Sequence, residues 1–368
     1  MLFGRDSAAN CSSSTAASAR GALEASLLRA LLRPPCLVTF SGGRDSSALL
    51  ACAIQIARRE GLLEPIPVTA LFAGAPETRE DDWQALVVRH LGCSEWIRRE
   101  FRDELDLVGP VADAIMRRDG LPYPYNLHLL APMIDEARGG SFVTGLGGDQ
   151  ALHPAGRGLD VLARRARPSF RAVARIAVDV GPRPLRRAML RSRVALTFPW
   201  LRQEANERLS RAWLEDQVRL PFRWNERLRE LWRSRFMRLT VRRLDALGTR
   251  AQAAVHNPFA EADFVFALAR QAGTAGFTSR TVAMRELFDD LLPEALIGRA
   301  TKASFNDVLW NRHTRSFVGG IGEDELERAL AELHLDTIVD PRALTEHWGG
   351  GAPLANSFLL LQACWLAR

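Results

Sequence analysis

Lysine is almost missing from this chain. Of its 49 basic residues one is a lysine, Lys302, and the rest are arginine. Arginine keeps its proton inside a protein, whereas lysine is a compact charge whose proton can be moved. A chain that writes its cations as Arg and keeps one Lys marks that Lys as a candidate for chemistry. The net charge of +6 therefore reads mostly as solvated arginine surface, although it also suits polyanions such as nucleotides, acidic peptides or nucleic acid. Cysteine is scarce as well. Cys11, Cys36, Cys52, Cys93 and Cys364 form no CxxC pair, which argues against a paired-cysteine zinc site or a disulfide frame and points to reduced thiols in a cytoplasmic setting. No apolar run reaches membrane-spanning length, so no membrane partner is expected. Residues 1–20, rich in Ala and Ser, contain no hydrophobic signal core and read as a loose tail.

What is present is enough for a well-buried core: 368 residues, 47% hydrophobic and 25% charged. Residues 21–33 carry apolar positions at helical spacing, and Pro34-Pro35 ends that helix. Residues 36–40 read as a short buried strand, 46–60 as a helix, 67–72 as a second strand and 81–91 as a helix closed by Gly92. Trp96-Ile97 begins a third strand, residues 131–138 are helical, and 141–144 form another strand before a Gly-rich loop. Strand alternating with helix predicts an α/β fold with a Rossmann-like parallel sheet over residues 21–155, with ligands at the C-terminal strand ends. From about residue 156 onward Arg, Leu, Trp and Ala dominate between prolines, which predicts a mainly helical part over 156–368. Helices are expected at 263–271, 280–292, 323–335 and 354–366, with Gly349-Gly350-Gly351 as a hinge before the last.

The strongest local signal is Ser41-Gly42-Gly43-Arg44-Asp45-Ser46-Ser47, set between a strand and a helix. Glycines let the backbone approach a polyanion closely, and the following helix aims free N–H groups and its positive dipole end at that anion. Ser41, Ser46 and Ser47 add hydroxyl donors, while Asp45 beside phosphate makes sense with Mg²⁺ between the two anions. The spacing is not that of a P-loop kinase or GTPase. The plain alternative, a βα turn with an Asp cap, does not account for glycines, acid and paired serines falling in register. A second loop, Thr144-Gly145-Leu146-Gly147-Gly148-Asp149-Gln150, follows a later strand. Asp45 and Asp149, at adjacent strand ends, form a carboxylate pair able to hold Mg²⁺.

The first run resembles the S-G-G-x-D-S-S loop of the ATP pyrophosphatases, which split ATP between the α and β phosphates. The second is similar to the S-G-x-G-x-D-E loop of the asparagine synthetase family, which includes β-lactam synthetases and lasso-peptide cyclases. Asn257-Pro258-Phe259-Ala260-Glu261-Ala262-Asp263 is similar to that family's P-F-L-D segment, and residues 279–305 resemble its R-x(n)-L-P-x-x-I-x-x-R-x-K-x-x-F stretch. The resemblance covers residues 36–310 in the family's order. It implies an ATP-dependent ligase that activates a small-molecule or peptide carboxylate as acyl-AMP, releases pyrophosphate and forms an amide with an amine. It further implies adenosine contacts at Phe40 and Ala73, pyrophosphate held by Ser41, Gly42, Gly43, Asp45, Ser46 and Ser47, nucleotide contacts at Thr144 and Gly145, Mg²⁺ on Asp45 and Asp149, and Lys302 as the catalytic lysine.

Three positions depart from the pattern. Residue 2 is Leu where glutamine-using members expose a Cys, and too little chain precedes the loop for a glutaminase domain. The amine is then expected from another chain, such as an amidotransferase or a precursor-binding partner, or from a different donor. Leu146 stands where the family has Glu or Tyr; an aliphatic side chain cannot move a proton, which disfavours aspartate as substrate and β-lactam closure. The family's acid after the second strand corresponds to Glu80, Asp81 or Asp82. These departures favour a peptide-tailoring or lasso-cyclase-like role within the ligase reading, while the overall similarity favours asparagine formation. A tRNA-modifying member of the superfamily fits the basic charge but not the second loop, so nucleic acid is not the expected partner. A non-catalytic relative fits Leu146 but not the retained Ser41–Ser47 run, Asp149 and Lys302.

Overall fold

The computed structural model describes residues 18–153, 180–191, 197–299, 301, 305–350 and 353–368. Helix α1 (Ala19–Leu31) starts at Ser18, whose hydroxyl accepts from the Gly21 amide. Pro34 and Pro35, which cannot continue a helix, lead into β1 (Cys36–Thr39). There follow α2 (Arg44–Glu60), β2 (Ile66–Phe72), α3 (Asp81–Leu91), β3 (Ile97–Phe101), α4 (Pro110–Asp119), α5 (Ala131–Glu136), β4 (Ser141–Val143) and the short α6 (Gly148–Ala151). Gly92 caps α3 at φ 64°, a left-handed conformation that costs glycine least.

All strand pairs are parallel, in the order β3-β2-β1-β4-β5, with β5 formed by Ala254–His256. Val38 of β1 stands opposite Pro67 on one side and Val143 on the other. The central strand is buried on both faces, which is why its residues form a continuous apolar run without alternation. The chain adds strands to one side of β1 and then returns to the other, so the strand order reverses at β1 and β4. A crevice opens at such a reversal, outside the carboxyl ends of the strands.

One face of the sheet is covered by α1 and α2, in a core that takes in Leu23, Leu27, Leu49, Leu50 and Phe259. The other carries Ile115, Met133, Ile134, Leu244 and Leu247, the last two from a long helix, α7, spanning Arg235–Ala251. Beyond residue 180 the chain is largely helical, and Trp200, Trp310, Trp348 and Phe358 anchor a separate apolar core. Among the described residues no helix is long and apolar enough to cross a membrane.

β5 and α4 were not foreseen, nor was the short α6 inside the second loop. β5 has three half-buried residues and no alternation, and it is a strand because β4 offers it a free edge. α4 begins at Pro110 after Gly109, a dipeptide that reads locally as a turn, yet Pro suits the first helical position. Helices expected at 131–138, 280–292 and 323–335 end earlier, at Glu136, Phe288 and Glu332. The expected hinge is partly helix: Gly349 closes the helix Pro341–Gly349, and Gly351 lies outside the described residues.

Candidate nucleotide site

Ser41, Gly42 and Gly43 turn the chain from β1 into α2. Gly42 sits at φ +80°, and a Cβ there would lie 2.9 Å from the Gln84 side chain. Gly43 caps α2 without a side-chain hydrogen bond, so the first-turn amides are left for an external acceptor. The Ser46 hydroxyl donates to the Gly43 carbonyl at 3.1 Å and accepts from the Ser41 amide at 3.2 Å, holding the loop closed. Ser47 is fully buried, with a hydroxyl that lacks a partner.

The second loop meets the first edge to edge. Gly148 packs on Asp45: a Cβ there would fall 2.5 Å from Asp45 Oδ2. At Gly147, φ +95°, a Cβ would lie 2.9 Å from the Phe259 backbone and 3.0 Å from that of Ala260. The Thr144 hydroxyl donates to Asn257 Oδ1 and accepts from the Leu146 amide at 3.2 Å. Asn257-Pro258-Phe259-Ala260 is thus the support on which the loop rests, a role that its sequence alone did not disclose.

Asp45 and Asp149, on different loops, come together around one guanidinium. Arg280 donates through one terminal nitrogen to Asp45 Oδ2 and through the other to Asp149 Oδ1. Burial pushes the Asp45 carboxyl above its ordinary range, and the Arg280 charge pulls against it. Arg280 itself is held in its charged form by the two carboxylates, against the effect of burial. Burial and the Arg280 charge lower the neighbouring Arg44. Asp45 Oδ1 is buried with no hydrogen-bond partner.

A second ion pair sits under the first loop. Arg299 and Glu80 are buried against each other, with 3% and 7% of their side chains exposed. Arg299 Nη1 also donates to the Gly42 carbonyl at 2.9 Å, and its guanidinium stands 5.0 Å from the Trp83 ring centroid. Of the three acids considered after β2, Glu80 therefore faces the loop. Asp81 pairs with Arg98 at the surface, and Asp82 is exposed.

A family model described as asparagine synthase matches residues 18–361. The chain belongs to the asparagine synthase family. None of the curated proteins compared with it matches. Enzymes of the asparagine synthase family are generally ATP-dependent ligases, and the family uses ATP. In this member both loops open on one cleft of about 610 Å³. Phe40, Ser41, Gly43, Asp45, Ser46, Thr144, Gly145 and Asp149 line it, whereas Ala73 does not and its neighbour Phe72 does. Gly42 and Ser47 lie behind the loop surface, and Leu146 faces the cleft. Lys302 lies outside the described residues; Thr301 and Phe305, on either side of it, line the cleft. Sequence reasoning missed Arg280 and Arg299 as site residues. Both occur in the 279–305 stretch that carried the resemblance, but among 49 basic residues nothing local singles them out.

Proposed function

We propose that this chain forms an amide bond by activating a carboxylate at the expense of ATP. A carboxylate oxygen attacks the α-phosphorus, pyrophosphate leaves, and acyl-AMP results. An amine then attacks the acyl carbon, AMP departs, and the amine loses a proton. The amine comes as a free donor, from a separate amidotransferase or from within a peptide. The observation that carries this reading is the meeting of two glycine-rich loops at the free N-terminal end of α2, with Asp45 and Asp149 facing each other across it.

The donor set fits Mg²⁺. That ion is commonly bound by one or two carboxylates together with substrate phosphates and water, and a buried, unpartnered Asp45 Oδ1 offers a ligand that Arg280 does not use. Asp45 and Asp149 would hold the ion, which supplies charge neutralisation to the pyrophosphate. The α2 amides and the Ser41 hydroxyl orient the phosphates, on a loop that the Ser46 hydroxyl holds closed. Arg280 and Arg44 bring fixed positive charge to the same side, and Lys302 is the residue assigned to supply a cation whose proton can move. Leu146 has no proton to give or take, so the amine's proton leaves by another route.

The test is product analysis with purified protein, a panel of carboxylates and an amine. AMP and pyrophosphate are expected; ADP and phosphate as the nucleotide products would refute the reading. In Asp45→Asn the fold should persist while turnover is lost, and full turnover in that variant would reject the metal assignment.

A further inference from the structure

We propose that the carboxylate this chain activates carries an apolar group beside its carboxyl, received by a wall of Leu127, Leu130, Met133, Leu146 and Leu244, and that it is not a free dicarboxylic amino acid. The proposal rests on the acyl-AMP reading above and names the substrate class for the same cleft.

Three observations support it. First, among the described residues, the charged side chains lining the cleft are all committed around the phosphate loop. Arg280 spans Asp45 and Asp149; Glu80 and Arg299 pair beneath Gly42; Arg44 reaches Thr281 and the Ile297 carbonyl. Second, the opposite wall is built from the apolar core under α5 and α7, and among the described residues it presents no charge to the cleft. Its hydroxyl is Thr240's, which donates to its own helix at the Phe236 carbonyl at 2.8 Å. A neutral amide, that of Asn126, stands next to this wall. Third, the cleft has two apolar arms. Ala70, Phe72 and Leu129 belong to a small cluster with Val308, on the β2 side. Leu127, Met133, Leu146 and Leu244 belong to the larger core under α5 and α7, against which Ala70 also packs. Two apolar arms in the cleft that holds the phosphate loop suit an acyl-adenylate, with the base against one and the acyl group against the other.

Leu146 decides which arm takes the acyl group. It follows Thr144 and Gly145 directly and lies three residues before Asp149, so it stands close to where the acyl–phosphate bond forms. A free aspartate placed there would press a second carboxylate and an ammonium against leucine and methionine. Burying an unpaired charge costs far more than an apolar contact returns. An apolar acyl group gains from the same wall.

The experiment titrates the wild-type protein with three acyl-sulfamoyl adenosines, stable mimics of acyl-AMP that share the adenosine and differ in the acyl group: isocaproyl, acetyl and β-aspartyl. Isocaproyl is expected to bind about ten- to a hundredfold more tightly than acetyl, the gain from burying one aliphatic side chain. β-Aspartyl should bind no better than acetyl. Tightest binding by β-aspartyl, or equal binding by all three, overturns the apolar wall and leaves the activation reading standing. If none of the three binds while Mg·ATP does, acyl activation itself fails and takes this proposal with it.

Discussion

Removing the carboxylate of Glu80 strands a guanidinium. Arg299 is 3% exposed and Glu80 7% exposed at the side chain, so neither charge can be returned to water without opening the floor of the loop. Arg299 would keep its hydrogen bonds to the Gly42 carbonyl at 2.9 Å and the Thr301 carbonyl at 3.0 Å, but those are dipoles and do not cancel a full charge. Breaking a buried pair from one side typically costs about 3–5 kcal/mol, and Glu80→Ala should fall in that range. Urea unfolding followed by tryptophan fluorescence measures it directly. The double variant Glu80→Leu with Arg299→Met removes both charges and should lose clearly less than the two single changes added together, with a coupling of about 0.5–3 kcal/mol. The loop should respond in parallel. Arg299 ties down the carbonyl of Gly42, so the double variant, which leaves the net charge of the cleft unchanged, should weaken Mg·ATP binding. Single variants within about 1 kcal/mol of wild type, or strict additivity in the double variant, would refute the claim that this pair is buried and interdependent.

Other consequences can be checked in the same preparations. Gly148→Ala places a methyl group on Asp45 Oδ2, and overpacking of this kind costs about 1–3 kcal/mol; nucleotide affinity should fall with it, and unchanged affinity would contradict the meeting of the two loops. Arg280→Met leaves Asp45 and Asp149 facing each other without a cation, so its melting temperature in EDTA should drop and Mg²⁺ should recover more of it than in wild type; equal Mg²⁺ effects in both proteins would argue against a shared ion. Lys302→Ala should lower single-turnover adenylate formation by roughly 10²–10³, and Lys302→Arg should also lose heavily; wild-type rates with Arg would make Lys302 a surface cation. His128 is buried, with its two ring nitrogens 3.2 Å and 3.0 Å from the Tyr125 and Leu105 carbonyls, and burial lowers its pKa below the ordinary value of 6.5. The unfolded chain then takes up this proton near pH 6.5 while the folded one does not, so stability present above that pH is lost as pH falls, at up to about 1.4 kcal/mol per pH unit. His128→Gln should remove this share of the slope, and identical slopes in the two proteins would refute it.

The phosphate loop was legible because its information is local. Directly after a strand, two glycines, an acid and three serines fall within seven consecutive positions, and backbone permissiveness plus a helix start define what such a run does, whatever surrounds it. The parallel sheet was legible for a similar reason: short buried strands alternating with helices of readable period leave few arrangements. β5 and α4 were not, because the first owes its pairing to the edge of β4 and the second begins at a dipeptide that signals a turn.

What the sequence alone determined about this protein is therefore the chemistry of each loop: where glycine lets the backbone close on an anion, and where Asp45 and Asp149 supply carboxylates. Tertiary structure decided which residues share that space. The bridge from Asp45 to Asp149 through Arg280 spans 235 positions of sequence, and the pairing of Glu80 with Arg299 spans 219. With arginine at nearly every basic position, no residue type marks these two from the rest; the fold selects them by carrying them to buried carboxylates. The wall around Leu146 is likewise a product of packing, since Leu127, Met133 and Leu244 come from separate elements that meet only where they pack together on one face of the sheet.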